Sequence, residues 1–217
     1  IIAGTTSIVG NEIKDGRPVI YVEKDGMLYL SDTFTIDNSL RNVISPYPSN
    51  NQINFVWVGR FHRNKGQDIA TEAFYQIHTI LPSSHLYLVG KYDADSIFYK
   101  ELLDFISVHN LQSRVHIIGF DSNPYKWIKF ADCFVLPSRI EGLPNTLIES
   151  QYLGVPAAAV RCIPMIDRII CDGVNGFIAQ PNNPNSLSSA MIKACQLGRI
   201  KMTYSSASDD DFVSLFK

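Results

Sequence analysis

The feature that most constrains the fold of this chain is an alternation of short apolar runs with helical patterns, repeated six times between residues 53 and 197. The apolar runs, which are typical of buried parallel strands, are residues 53–59, 85–90, 115–120, 132–138, 155–160 and 176–181. Helical patterns fall at residues 66–81, 96–111, 124–130, 146–153, 164–170 and 184–197. Such alternation predicts an α/β fold, a Rossmann-like parallel six-stranded sheet with helices on both faces.

The chain outside this region is less regular. Residues 17–32 predict a hairpin around the Asp25-Gly26 turn, and residues 33–51 are polar and read as a linker, with a domain boundary at 45–51. Residues 199–217 form a serine-rich and acidic tail that ends in a short apolar run. We therefore divide the chain into residues 1–50, 51–198 and 199–217.

Composition excludes several functions. The formal net charge is -2, from 19 basic and 21 acidic side chains, so the basic field of a nucleic-acid-binding protein is absent and we expect no such partner. The four cysteines form no CxxC pair and have no histidines at zinc-ligand spacing, which favours reduced thiols, no metal and a cytoplasmic location. No apolar run is long enough to span a bilayer, and no signal peptide is visible.

Two stretches follow predicted strands at the carboxyl edge of the sheet, where ligands bind in such folds. The first, 138–156, reads SRIEGLPNTLIESQYLGVP and holds Glu141 in a loop and Glu149 in a predicted helix. Asn145 is the predicted N-cap of that helix, which begins at about Thr146. A helix start attracts an anion, although two glutamates at this spacing are also compatible with a solvated surface.

The second stretch, GRFHRNKG at residues 59–66, follows the first predicted strand and carries Arg60, His62, Arg63 and Lys65. It matches neither the Walker loop nor the GxGxxG dinucleotide loop. A basic loop alone is often merely solvated. Together with an acidic loop at the same sheet edge, it indicates a site for a phosphorylated ligand with hydroxyl groups, such as a nucleotide sugar.

The two stretches together resemble the C-terminal, donor-binding half of the retaining GT-B glycosyltransferases of family 4, the glycosyl transferases group 1. The resemblance rests on VGRFHRNKG, on the two glutamates of EGLPNTLIE, and on DGVNGFIAQP at residues 172–181, and it covers about residues 43–197. It implies transfer of a sugar, of the hexosyltransferase type, from a nucleotide-diphosphate sugar with retention of configuration. No metal or other cofactor is implied.

The resemblance also implies roles for single residues. Arg60 and Lys65 would contact the diphosphate and oppose the charge that grows on the leaving nucleotide. Glu141 would contact the donor sugar, as stabiliser or nucleophile, and Glu149 the ribose. The implied catalytic residues are Arg60, Lys65 and Glu141, and the implied donor-binding residues are Gly59, Gly119, Phe120, Gly142, Leu143, Asn145, Thr146 and Glu149.

The resemblance implies partners as well. The donor would be UDP- or GDP-linked, and the acceptor a saccharide or a lipid-linked glycan for polysaccharide biosynthesis, reached from the cytoplasm or the inner face of a membrane. At most fifty residues precede the matching region, too few for the family's acceptor-binding domain, so they read as a remnant of it. We expect a fragment or one half of a split enzyme that needs a partner chain.

This sequence departs from the family at two places. Arg161-Cys162 stand where the family usually has two glycines, and Arg168 stands where it usually has a glutamate. There are three alternatives to a transferase. A non-catalytic nucleotide-sugar-binding module that acts with a partner chain is the first, and an epimerase of the same GT-B type is the second. A Rossmann dehydrogenase is disfavoured because no strand is followed by GxGxxG.

Overall fold

The computed structural model of the chain describes residues 6–14, 17–24, 27–30 and 52–200. Strands β1 (Thr6–Lys14), β2 (Arg17–Lys24) and β3 (Met27–Leu30) form an antiparallel sheet in that order. The β2–β3 pairing confirms the predicted hairpin. Strand β1 was not predicted, because its register shifts between Ile8 and Gly10 and the irregularity obscures the alternation that marks a strand. The predicted turn at 25–26, the linker and the tail beyond residue 200 lie outside the described residues.

A second sheet of six parallel strands confirms the predicted fold. Its strands are β4 (Ile53–Val58), β5 (Ser84–Val89), β6 (Val115–Gly119), β7 (Cys133–Leu136), β8 (Ala157–Val160) and β9 (Gly176–Ala179). The helices are α1 (Gln67–Ile77), α2 (Ile97–Val108), α3 (Tyr125–Phe130), α4 (Asn145–Tyr152), α5 (Ile166–Ile169) and α6 (Pro184–Gln196). Each lies within its predicted segment or differs from it by a residue or two at an end.

Helices cover both faces of this sheet. Because alternate residues of each strand point to opposite faces, one strand contributes side chains to two cores. In β4, Phe55 and Trp57 belong to a core that includes Phe74 of α1 and residues of α2 and α6. Val56 belongs to the opposite core, with Trp127 of α3 and residues of α4 and α5. The central strands are therefore buried on both sides, as their continuous apolar runs predicted.

The strand order is β6-β5-β4-β7-β8-β9. The chain builds outward from β4 to β6, returns to the centre, and builds outward again from β7 to β9. Strands β4 and β7 are neighbours, yet the loops that leave their carboxyl ends lead in opposite directions. Such a switch point opens a crevice above the sheet, and in doubly wound folds ligands bind there.

Candidate functional site

A cavity of about 230 Å³ opens at this switch point. It lies between the loop after β4, the loop after β7 and the first residues of α4. Of the residues implied by the resemblance, those that line it are Gly59, Arg60, Lys65, Glu141, Leu143, Asn145 and Thr146. Two stretches more than seventy residues apart in sequence thus meet as the strand pattern predicted. The donor contacts assigned to these residues remain predictions.

Glu141 is the best-defined side chain of the cavity. Lys65 donates from Nζ to Glu141 Oε2 at 2.7 Å, and Ser138 donates from Oγ to Glu141 Oε1 at 2.6 Å. The Glu141 side chain is only 7% exposed. Charge-assisted bonds of this length are the strong ones, and a buried carboxylate needs such partners. The cavity therefore holds a carboxylate that two donors fix in orientation.

Arg60 is the available cation of the cavity. It is exposed, and its guanidinium makes no hydrogen bond or ion pair with any described residue. Its backbone is fixed, because the fully buried Gln67 donates from Nε2 to the Arg60 carbonyl at 3.1 Å. A fixed backbone with an unpaired guanidinium suits an anionic ligand.

The start of α4 differs from the prediction. Asn145 is not the N-cap but the first helical residue, and Pro144 precedes it without any side-chain capping bond. The Asn145 N–H is occupied by the Leu143 carbonyl at 2.9 Å, in a tight turn that Pro144 favours. Among the described residues, Asn145 Oδ1 is buried without a hydrogen-bond partner, and the Thr146 N–H has none either. The helix start thus presents unsatisfied polar groups at the cavity.

Glu149 does not line the cavity. It lies one turn into α4, is 8% exposed, and accepts a hydrogen bond from the Tyr125 hydroxyl at 3.5 Å. Burial raises the pKa of Glu149 to about 7. Burial, and then the neighbouring Glu149 charge, raise the pKa of Tyr125 to about 12. The structure therefore places this glutamate beside α3, in an environment that disfavours its charge.

The other implied residues lie around the cavity rather than in it. Gly119 ends β6, which is two strands away from β4, and Phe120 is 76% exposed just beyond it. Gly142 is exposed in the loop beside Glu141. Gly119 and Phe120 are thus at the same edge of the sheet, but the structure does not bring them to the cavity.

Three further basic residues of the sequence are engaged elsewhere. His62 accepts the Asn64 N–H on Nδ1 at 3.1 Å and caps a single 3-10 turn, Arg63–Lys65. The Arg63 side chain pairs with Glu101 of α2, away from the cavity. Arg161 pairs with Asp167 at 2.8 Å. A cluster of charges in sequence therefore becomes two cations at the cavity, Arg60 and Lys65.

Sequence reasoning missed three residues that shape the site. Ser138 orients Glu141, Gln67 fixes Arg60, and Arg139 joins the two loops through Asp68. Ser138 lies in the 138–156 stretch, three residues before Glu141. This spacing is the one feature of the sequence that could have indicated its hydrogen bond to the glutamate. The Arg139–Asp68 contact spans 71 positions, so no local pattern announces it.

Two absences apply to the part of the chain that the structure describes. No three histidine, cysteine, aspartate or glutamate side chains cluster there as metal ligands would. No helix in those residues has the length and hydropathy to cross a membrane. Metal-independent transfer stays a prediction.

Comparison with known protein families shows to which family the chain belongs. The model of the family described as glycosyl transferases group 1 matches residues 52–196. The chain belongs to this family. The match covers the six-stranded sheet, α1 to α6 and every residue that lines the cavity.

Curated relatives share the same region. A glycosyltransferase of Methanocaldococcus jannaschii, itself uncharacterized, is 33% identical over 56% of this chain and 29% of its own length. The N-acetylgalactosamine-N,N'-diacetylbacillosaminyl-diphospho-undecaprenol 4-alpha-N-acetylgalactosaminyltransferase of Campylobacter jejuni is 26% identical over 68% of this chain and 38% of its own length. The chain thus spans between a quarter and two fifths of these relatives.

Solved structures confirm the fold. HepE from Anabaena, in complex with UDP and glucose, superposes with a TM-score of 0.61 at 23% identity, over 68% of this chain and 41% of HepE. The C-terminal domain of LpcC, a glycosyl transferase group 1 family protein of Francisella tularensis, gives 0.57 at 24% identity, over 63% of this chain and 72% of that domain. The structural neighbours are glycosyltransferases of the GT-B type, as the resemblance implied.

Proposed function

We propose that the cavity at the switch point binds the diphosphate of a nucleotide sugar, and that this chain supplies the donor half of a retaining glycosyltransferase of family 4. One observation carries the proposal: two cations and the start of α4 converge on one cavity beside a buried, oriented carboxylate. Arg60, Lys65, Asn145 and Thr146 all line this cavity. Membership in the glycosyl transferases group 1 family supports the reaction class.

Lys65 has a specific part in this proposal. Its Nζ is paired with Glu141 Oε2 at 2.7 Å. A diphosphate in the cavity offers Lys65 a second anionic partner, and Glu141 keeps its hydrogen bond from Ser138. The glutamate then faces the sugar with one oxygen oriented and the other available, which suits a hydroxyl group or a developing positive charge at the anomeric carbon.

In transfer, the bond between the anomeric carbon and the β-phosphate oxygen breaks, and the acceptor hydroxyl oxygen forms the new bond to the anomeric carbon. The hydroxyl proton passes to a phosphate oxygen or to water. The electron pair of the broken bond stays on the β-phosphate oxygen, so negative charge grows on the departing nucleotide diphosphate. In this proposal Arg60 and Lys65 oppose this charge, which is supported by their place in the lining of a cavity whose walls include the buried Trp57 and Leu136. Apolar walls strengthen such electrostatic stabilisation.

We propose a UDP- or GDP-linked hexose as the donor and a saccharide or lipid-linked glycan as the acceptor. The structure of HepE with UDP and glucose supports the first part. The Campylobacter jejuni relative, which is named for a diphospho-undecaprenol acceptor, supports the second. A lipid-linked acceptor places the reaction at the inner face of a membrane.

Calorimetric titration of the chain with UDP, GDP and ADP tests this function. We expect one nucleotide to bind, and Arg60→Ala and Lys65→Ala each to weaken it by about ten- to hundredfold, since charged hydrogen bonds contribute about 1.5–3 kcal/mol. Arg161→Ala is the matched control, because its guanidinium is paired with Asp167 and does not line the cavity. Affinity that is unchanged in both Arg60→Ala and Lys65→Ala would place the site elsewhere.

A transfer assay separates the transferase from a non-catalytic binding module. The chain is mixed with a UDP-sugar and a saccharide acceptor, alone and with an acceptor-binding half from a relative of the family. Release of UDP coupled to a glycosylated product in the mixture supports the transferase. Tight binding with no turnover in either mixture favours the module.

A further inference from the structure

The two loops that line the cavity are joined through Arg139, in the loop after β7. Its guanidinium donates from Nη1 to Asp68 Oδ1 and from Nη2 to Asp68 Oδ2, each at 2.8 Å. Nη1 also donates to the Arg63 carbonyl at 2.7 Å. The Arg139 N–H donates to the Asn64 carbonyl at 2.8 Å. A single residue thus ties the loop after β7 to the 3-10 turn and to the first turn of α1.

The contacts of Arg139 involve residues that stand close in sequence to both members of the Lys65–Glu141 pair. Arg63 and Asn64 directly precede Lys65, and Arg139 stands two residues before Glu141. Neither Arg139 nor Asp68 lines the cavity, so neither is placed to contact a ligand there. We infer that the Arg139–Asp68 pair positions Lys65 and Glu141 for the donor, which rests on the proposed function. Arg139 and Asp68 are positioning residues that act through the cavity side chains.

The geometry explains why this pair can perform that task. An exposed ion pair contributes little and holds its partners loosely. Here the side chains of Arg139 and Asp68 are 27% and 32% exposed, and both terminal nitrogens of the guanidinium, Nη1 and Nη2, are engaged. A two-pronged arginine–carboxylate contact fixes direction as well as distance. Lysine keeps the charge but cannot make the fork, so Arg139→Lys separates charge from geometry.

The experiment is calorimetry on the full chain and its variants with UDP, and with GDP in place of UDP throughout if the unmodified chain binds GDP. We expect Arg139→Gln and Asp68→Asn each to weaken UDP binding by about five- to tenfold, within the range for residues that share a network. Arg139→Lys is expected to weaken it nearly as much as Arg139→Gln. Arg63→Gln is the matched control, since it removes an ion pair of the same loop that faces α2, and it is expected to change affinity less than twofold.

The decisive readout is the combination with Lys65→Ala. If the pair acts through Lys65, Arg139→Gln weakens UDP binding in the parent chain and changes it less than twofold in the Lys65→Ala background. A direct phosphate contact or a general loss of structure would instead lower affinity by the same factor in both backgrounds. Urea unfolding of each variant reports on the second of these alternatives.

Each outcome counts for or against the inference. Parent-like UDP affinity in both Arg139→Gln and Asp68→Asn overturns it, as does equal weakening in the two backgrounds, or full retention of affinity in Arg139→Lys. The proposed function is tested separately, by the titration of the unmodified chain. A chain that binds none of UDP, GDP and ADP refutes the donor site, and the positioning role is refuted with it.

Discussion

Replacing Glu149 by glutamine tests whether the helix that borders the cavity stores an unfavourable buried charge. Glu149 is 8% exposed, and burial raises its pKa from 4.5 to about 7. The folded protein therefore binds this proton more tightly than the unfolded chain does. The free energy of unfolding that depends on this group is highest below pH 4.5, falls as the pH rises from about 4.5 to about 7, and is constant above.

The size of the effect follows from the two pKa values. The free energy of unfolding changes by about 1.36 kcal/mol per pH unit between the two pKa values. Relative to its value at low pH, it is therefore lower by roughly 1 kcal/mol at pH 5 and by roughly 3 kcal/mol at pH 8. Glutamine has no such titration and keeps an oxygen that can accept from Tyr125. We therefore expect Glu149→Gln to raise the free energy of unfolding by about 3 kcal/mol at pH 8 and by about 1 kcal/mol at pH 5.

Urea unfolding at the two pH values measures this difference. Tryptophan fluorescence is a suitable signal, because Trp57 and Trp127 are buried on opposite faces of the sheet. Glu72→Gln, the same substitution on the exposed side of α1, is the control for the exchange of glutamate for glutamine. An equal gain for Glu149→Gln at pH 5 and pH 8 would refute the reasoning, since only ionisation separates the two conditions.

The same variant also tests the proposed ribose contact. If the Glu149 carboxylate accepts hydrogen bonds from the ribose hydroxyls, glutamine weakens UDP binding even though it stabilises the fold. A more stable protein that binds UDP less tightly would show that the buried carboxylate is kept for the ligand. A more stable protein with unchanged affinity would remove Glu149 from the donor site.

Three further predictions concern other residues. Gly66→Ala is expected to lower the free energy of unfolding by about 2–4 kcal/mol, because Gly66 has φ +72° and an added Cβ would lie 2.1 Å from the Pro137 carbonyl oxygen; Gly142→Ala, which meets nothing within 4 Å, is the control in the same urea titration. Asn145→Asp is expected to weaken UDP binding at least tenfold and to leave uridine binding unchanged, because it puts a second negative charge beside the diphosphate site; equal losses for both ligands in calorimetry would contradict a phosphate contact. The fully buried Cys133 thiol, whose pKa burial raises well above its usual range, is expected to react with a thiol reagent at pH 8 only as the protein unfolds, as read by peptide mapping of the labelled chain.

Much of the candidate site was predictable because the charged residues of each loop are close together in the sequence. The basic loop at Arg60 and Lys65 and the acidic loop at Glu141 each follow an apolar run, and parallel strands put their carboxyl ends at one edge. That argument places the loops on an edge but not beside one another. They are adjacent because β4 pairs with β7, a contact between segments about 78 residues apart.

Other features of the site depend on contacts that a local sequence pattern does not show. Asparagine is a favoured N-cap residue, and the sequence therefore predicts Asn145 as the cap. Pro144 and the tight turn at Leu143 instead make Asn145 the first helical residue, one position before the predicted start. Arg63 looks like a phosphate ligand beside Lys65, but Glu101 on α2 takes it. In both cases a partner that is remote or conformationally constrained outweighed the local preference.

The sequence by itself determined the sheet, its two covered faces and the edge at which chemistry collects, because strand and helix periodicity reports which side of each element is buried. Only the tertiary structure decided which charges meet. The Lys65–Glu141 pair, the Arg139–Asp68 fork and an Arg60 guanidinium that has no partner among the described residues arise from the strand order and from loop packing at the switch point. Electrostatic partnership depends on distances of a few ångströms between side chains that lie far apart along the chain, and a linear pattern does not encode those distances.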